Sequence, residues 1–219
     1  MEMKDKASSL DFYAFLHANR EALAGSFIKK VYQVSPPDSF LFQLHSPPVS
    51  SRLMLFIALR KGGIFLKDVE RPEEPTSLAM MLRKMLGDRK ILEVQQVNFD
   101  RVMRFSLSGN GEVVFEMFRE GNLIVVQDGR IEYALNPPRE WRNRKILRGE
   151  PYVPPSLSDP SAFGAQEISS MLASSSASLV QTVATRMNLG GEFAEELIHR
   201  IALTSRRLRP RALAFRNPF

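Results

Sequence analysis

The chain has 219 residues, 44% hydrophobic and 25% charged, with no cysteine and a formal net charge of +6, which fits one large domain or a domain of about 150 residues with a small companion. Disulfides, thiolate metal sites and cysteine nucleophiles are excluded, and three scattered histidines (His17, His45, His199) argue against a histidine-rich metal centre. No apolar run reaches the length of a membrane span, and the polar start MEMKDKASS lacks the apolar core of a secretory signal, so a cytoplasmic location is expected.

Residues 10–23 carry Phe12, Phe15, Leu16 and Leu23 near a 3.6-residue period, with Ser8 or Ser9 in place as cap, and predict a helix. Apolar or alternating runs at 28–34, 40–44 and 53–59 predict strands, and RKGG at 60–63 followed by IFLK makes 53–67 a hairpin. PTSLAMMLRKMLG reads as a second helix, capped by Thr76 or Ser77, buried along Leu78, Met81, Leu82, Met85 and Leu86, and stopped by Gly87. Its methionines are expected to fill core gaps. Strands follow at 91–97, 102–107, 113–118, 123–127 and 131–135, with GNGE, REGN and QDGR as turns. Eight or nine short strands and few helices predict an α+β fold, an antiparallel two-sheet, sandwich-like domain with flanking helices. PYVPPSLSDPSAFG, from residue 151, marks a boundary. Beyond it, 178–187 and 192–201 read as short helices joined by NLGG. The expected organisation is a β-rich domain at 1–155, a helical unit at 165–205 and an unstructured basic tail at 206–219.

The positive charge is clustered. Residues 139–148, REWRNRKILR, hold five basic residues and one acid, and 206–216 hold five arginines and no acid. Such patches attract polyanions, nucleic acid above all; the tail by itself reads as plain solvated surface, whereas 139–148 fits either reading equally. In 139–148, Trp141 has two uses, stacking on a base or covering the core.

QQVNFDRVMRF, residues 95–105, raises a sharper question. As one continuous strand it would place Arg101 on an apolar face with Val97, Phe99, Met103 and Phe105, where an unpaired guanidinium does not belong. The conflict disappears if the ladder breaks or bulges at Asp100-Arg101, and both side chains then reach solvent at a strand end. A guanidinium there would fork onto phosphate or a guanine edge, and a carboxylate would accept from a base N–H or a ribose 2′-hydroxyl. The alternative is local: Asp100 pairs with Arg104 or caps a turn, and Arg101 pairs with another carboxylate. The Gly190-Gly191 hairpin admits a close phosphate, but Glu192, Glu195 and Glu196 beside it repel one. Lys29 and Lys30, in GSFIKKVYQ, point to opposite faces of a regular strand.

Taken in order, SSLDFYAFL, GSFIKKVYQ, PTSLAMMLRKML, VQQVNFDRVMRF, FEMFREGNLIVVQDGRI and GEPYVPP resemble the NFACT N-terminal domain, and ATRMNLGGEFAEEL resembles the helix-hairpin-helix region that follows it in the family. The resemblance spans about residues 8–202. It implies a fold similar to the N-terminal domain of formamidopyrimidine-type DNA glycosylases. It also implies a role in ribosome-associated quality control: binding tRNA, and the rRNA and peptidyl-tRNA of large ribosomal subunits with stalled nascent chains, in support of template-free C-terminal tailing. The family's Asp-Arg motif falls on Asp100 and Arg101, and its early helical Asp on Asp11. Together with Lys29, Arg139, Arg142, Arg144 and Lys145, these are the expected RNA-binding residues, with Gly190 and Gly191 as the hairpin. No catalytic residue, metal or cofactor is expected, because the glycosylases' N-terminal proline nucleophile has no counterpart in Met1-Glu2-Met3. The alternatives are a nucleic-acid-processing enzyme related to those glycosylases and a fibronectin-binding surface adhesin. The last stretch, TSRRLRPRALAFRNPF, departs from the family, and the chain ends before the family's coiled coils and second RNA-binding domain, so partial or absent ribosome engagement is expected.

Overall fold

A computed structural model of the chain describes residues 7–47, 51–136, 139–141, 144–155 and 159–212, with side chains except at 139–141, 161 and 203–212. The chain divides into two compact units, Met1–Leu157 and Ser158–Phe219.

The first unit opens with helix α1 (Ser9–Leu23), capped by Ser8, which turns Phe12, Leu16 and Leu23 inward. Four strands follow: β1 (Phe27–Val34), β2 (Ser39–Ser46), β3 (Ser51–Ala58) and β4 (Gly63–Leu66). They form one antiparallel sheet in sequence order. Helix α2 (Ser77–Leu86) starts at the Thr76 cap, buries Ala79, Leu82 and Leu86, and half-buries Leu78, Met81 and Met85. Five more strands form the second antiparallel sheet, again in sequence order: β5 (Ile91–Gln96), β6 (Val102–Leu107), β7 (Gly111–Glu116), β8 (Asn122–Gln127) and β9 (Arg130–Ala134).

The two sheets and both helices share one core. Phe40, Phe42, Leu55 and Ile57 of the first sheet meet Val94, Met103, Phe105, Val113 and Phe115 of the second. Phe115 sits edge-on to both Phe42 and Phe105, ring centroids 5.5 Å apart in each pair. The second sheet is also covered on its outer face, where Val102, Val114, Ile124, Val126 and Ile131 pack with Ile146. That second covering explains why its strands read as near-continuous apolar runs such as LIVV rather than strict alternation. The cover is a small hairpin of β10 (Arg139–Trp141) and β11 (Arg144–Ile146), which the basic composition of 139–148 concealed.

The second unit is helical: α3 (Ala165–Ala173), α4 (Leu179–Arg186) and α5 (Gly191–Ala212). α3 falls within the expected helical unit, ahead of the two helices read there, and begins directly after the Pro- and Ser-rich boundary stretch. α5 continues past residue 201 into the basic segment, so 206–212 are helical rather than tail; 213–219 lie outside the described residues.

Candidate nucleic-acid interface

The ladder does break at the dipeptide. β5 stops at Gln96 and β6 begins at Val102; between them Val97 N–H donates to the Val102 carbonyl (2.9 Å) and Asp100 N–H to the Val97 carbonyl (3.0 Å). Asn98 and Phe99 turn the chain with φ of +52° and +51°, a left-handed backbone that bulky residues rarely adopt. Arg101 is thereby lifted off the apolar inner face. It is half-buried, its carbonyl accepts from Met117 N–H (2.8 Å), and its guanidinium makes no hydrogen bond or ion pair among the described residues.

Asp100 behaves differently. It is only 7% exposed, and its Oδ1 accepts the Arg101 N–H at 2.7 Å. The expectation that both side chains project into solvent therefore fails for Asp100: its carboxylate holds the turn that presents Arg101.

Behind the turn lies a buried polar cluster. Glu116, at the end of β7, takes the Arg144 guanidinium at Oε1, and the Tyr152 hydroxyl donates to the same oxygen at 3.0 Å. Arg104 lies over the Tyr152 ring, 5.8 Å from its centroid, and faces Glu112 at 3.6 Å rather than Asp100. Burial pushes the Glu116 carboxyl above its ordinary range against the pull of Arg144, and the nearby Asp100 charge adds to the rise. Burial chiefly, then Glu116, raises the Tyr152 phenol. Arg144 is thus a buried ion-pair partner, not part of an open basic face. It ties the β10–β11 hairpin down to the sheet.

The remaining expected residues are dispersed. Asp11 is the third residue of α1, and its Oδ2 accepts from Ser8 N–H (2.6 Å) and Ser8 Oγ (2.7 Å) in a capping box, so its carboxylate serves the helix start. Lys29 pairs with Asp88 at 2.7 Å, beside the start of β5 and about 20 Å along that strand from the Asp100 turn. A register shift between Ile28 and Lys30 leaves both lysines exposed, where a regular strand would oppose them. Lys145 is exposed on β11; Arg139 is placed by its backbone alone, and Arg142 lies outside the described residues. Gly190, φ +78°, makes the left-handed turn between α4 and α5, and Gly191 starts α5.

Two residues around the turn, Gln96 and Tyr13, escaped the sequence reading. Gln96 Nε2 donates to both the Ser9 carbonyl (2.8 Å) and the Asp100 carbonyl (2.9 Å), joining the start of α1 to the turn. Tyr13 stands off the apolar stripe of α1, and its ring lies 6.0 Å from that of Phe99. The one available signal was Tyr13 and His17, four residues apart and out of phase with the buried stripe.

The model of the NFACT N-terminal and middle domains matches residues 9–213. The chain belongs to this family. The archaeal Rqc2 homolog aRqcH of Methanocaldococcus jannaschii is 28% identical to it over 179 residues, 76% of this chain and 27% of that protein. The ribosome quality control complex subunit 2 of Saccharomyces cerevisiae is 27% identical over 137 residues, 61% of this chain and 13% of that protein. The chain thus spans well under half the length of these NFACT relatives, which are ribosome quality control factors. Among solved structures, the N-terminal domain of fibronectin-binding protein PavA from Streptococcus pneumoniae superposes with a TM-score of 0.75 at 20% identity, over 93% of this chain and 82% of that one. That likeness is one of fold, and it matches the two antiparallel sheets with flanking helices. No helix among the described residues is long and apolar enough to cross a membrane.

Proposed function

We propose that this chain is an RNA-binding module of a ribosome-associated quality-control factor. It binds tRNA on large ribosomal subunits with stalled nascent chains, in the cytoplasm, and supports template-free C-terminal tailing, the ribosome itself supplying peptidyl transfer. The observation that carries the reading is Arg101. Its guanidinium has no partner among the described residues, and a turn locked by Asp100, Gln96 and two left-handed residues holds it in place. An unengaged fork of donors carried on a pinned backbone suits phosphate or a guanine edge. Asp100 is assigned a positioning role, and Lys145 with the rest of the β10–β11 hairpin a supporting contact to backbone phosphate. We further assign α4, the Gly190 turn and α5 as a helix-hairpin-helix, and the β-rich unit as similar in fold to the glycosylase N-terminal domain.

Co-sedimentation is the test. The chain is expected to pellet with large subunits carrying peptidyl-tRNA and to be released by Arg101→Ala. Equal pelleting with empty subunits, or an Arg101→Ala variant that pellets like the parent, overturns the reading.

A further inference from the structure

Resting on that RNA-binding reading, we propose that Tyr13 and Phe99 form a stacking platform for one unpaired base of an RNA strand whose phosphate lies on Arg101. Tyr13 is 51% exposed, whereas its neighbour Phe12 is fully buried, so α1 turns one ring into the core and the next out of it. The exposed ring is not isolated. Phe99 approaches it at 6.0 Å with a 50° tilt, and His17, one helical turn on, lies 6.3 Å away with its plane within 12° of parallel. Three rings therefore share one surface, and His17 is exposed as well.

The local fold is arranged to bring Phe99 there. Its left-handed backbone is one that a bulky residue rarely adopts, and such conformations gather at ligand sites. The turn is pinned on two sides, by Gln96 to the Ser9 carbonyl and by Asn98 Nδ2 to the Pro155 carbonyl at 3.1 Å. The rings of α1 and the turn are thus held against each other, two residues from Arg101.

Aromatic faces at the turn that carries an arginine without a partner among the described residues fit a nucleotide: the base lies on the ring and its phosphate on the cation. A paired base hides its faces within the duplex, so the strand is single at this point. Stacking reads no sequence, because every base offers a π-face; discrimination is expected between unpaired and paired RNA, not among bases.

The full chain is titrated with a fluorescein-labelled oligouridine of about eight nucleotides and with a blunt RNA duplex of about sixteen base pairs. Tyr13→Ala is expected to weaken the single strand about tenfold, leave the salt slope unchanged and leave the duplex unaffected. Tyr13→Trp is expected to bind the single strand at least as tightly as the parent, and since the Tyr13 ring is half exposed both variants keep the parent's thermal unfolding midpoint. A parent that does not bind the single strand, or a Tyr13→Ala variant that binds it normally or loses strand and duplex alike, overturns the platform. Arg101→Ala separates the two layers: if it weakens binding while Tyr13→Ala does not, only the platform falls, and if neither does, the RNA-binding reading falls with it.

Discussion

At Glu116 a carboxylate is buried because two partners hold it, and its neighbours divide the consequences. Removing Arg144 leaves the charge with the Tyr152 hydroxyl alone, so Arg144→Ala is expected to cost about 3–5 kcal/mol in a denaturant titration. The loss should shrink in acid, where Glu116 takes up a proton. The pH dependence has a definite sign. Above the ordinary glutamate value of about 4.3 and below the raised one, the folded protein keeps a proton that the unfolded chain has lost. Stability from this group therefore falls as pH rises through that window. Unfolding midpoints from about pH 4 to 7 should fall for the parent relative to Glu116→Gln, which has nothing to titrate there. Arg101 obeys a different rule, since it acts on a ligand and not on the fold. Arg101→Ala is expected to weaken tRNA binding across sequences and flatten the salt slope by about one, with the unfolding midpoint unchanged.

At the scale of elements, turns and caps decide what packing alone leaves open. Gly121 sits in the β7–β8 turn at φ +73°, and a Cβ there would lie 2.4 Å from that of Leu59. Gly121→Ala is therefore expected to destabilise by more than about 1 kcal/mol in thermal unfolding. Asp11→Ala should cost about 1 kcal/mol through the α1 capping box and leave RNA affinity largely intact, which separates a helix-start role from a ligand role. These elements also mark what the sequence made legible. The strands of both sheets, the Thr76 cap, the Gly87 stop and the QDGR turn followed from period and turn chemistry, which are local signals. The break at Asp100-Arg101 was legible as a conflict, because an arginine in an apolar row has to be resolved somehow. What stayed hidden was set by distant partners. Nothing in FEMF marks Glu116 as the acid awaiting Arg144, and nothing near Lys29 announces Asp88. The β10–β11 hairpin and α3 were missed for related reasons: each is short, and charge or serine content outweighed a weak pattern.

Across the whole molecule, every buried member of the main core cluster, from Phe12 to Val125, belongs to the first unit, most of them on its two sheets, α1 and α2 and the rest, Leu59 and Met117, just past β3 and β7. A chain ending at residue 157 is accordingly expected to unfold cooperatively, by circular dichroism, at a midpoint close to that of the first unit in the full chain. The order of strands in the two sheets has a further consequence. Each strand pairs with its immediate predecessor, so either sheet assembles by successive short-range closures, the cheapest kind for a chain to make. On a chain emerging from its N-terminus, however, the first sheet is finished long before Phe105 and Phe115 exist to cover Phe42. During that interval a sticky surface faces the cell, and nascent copies made side by side are most exposed to clumping then.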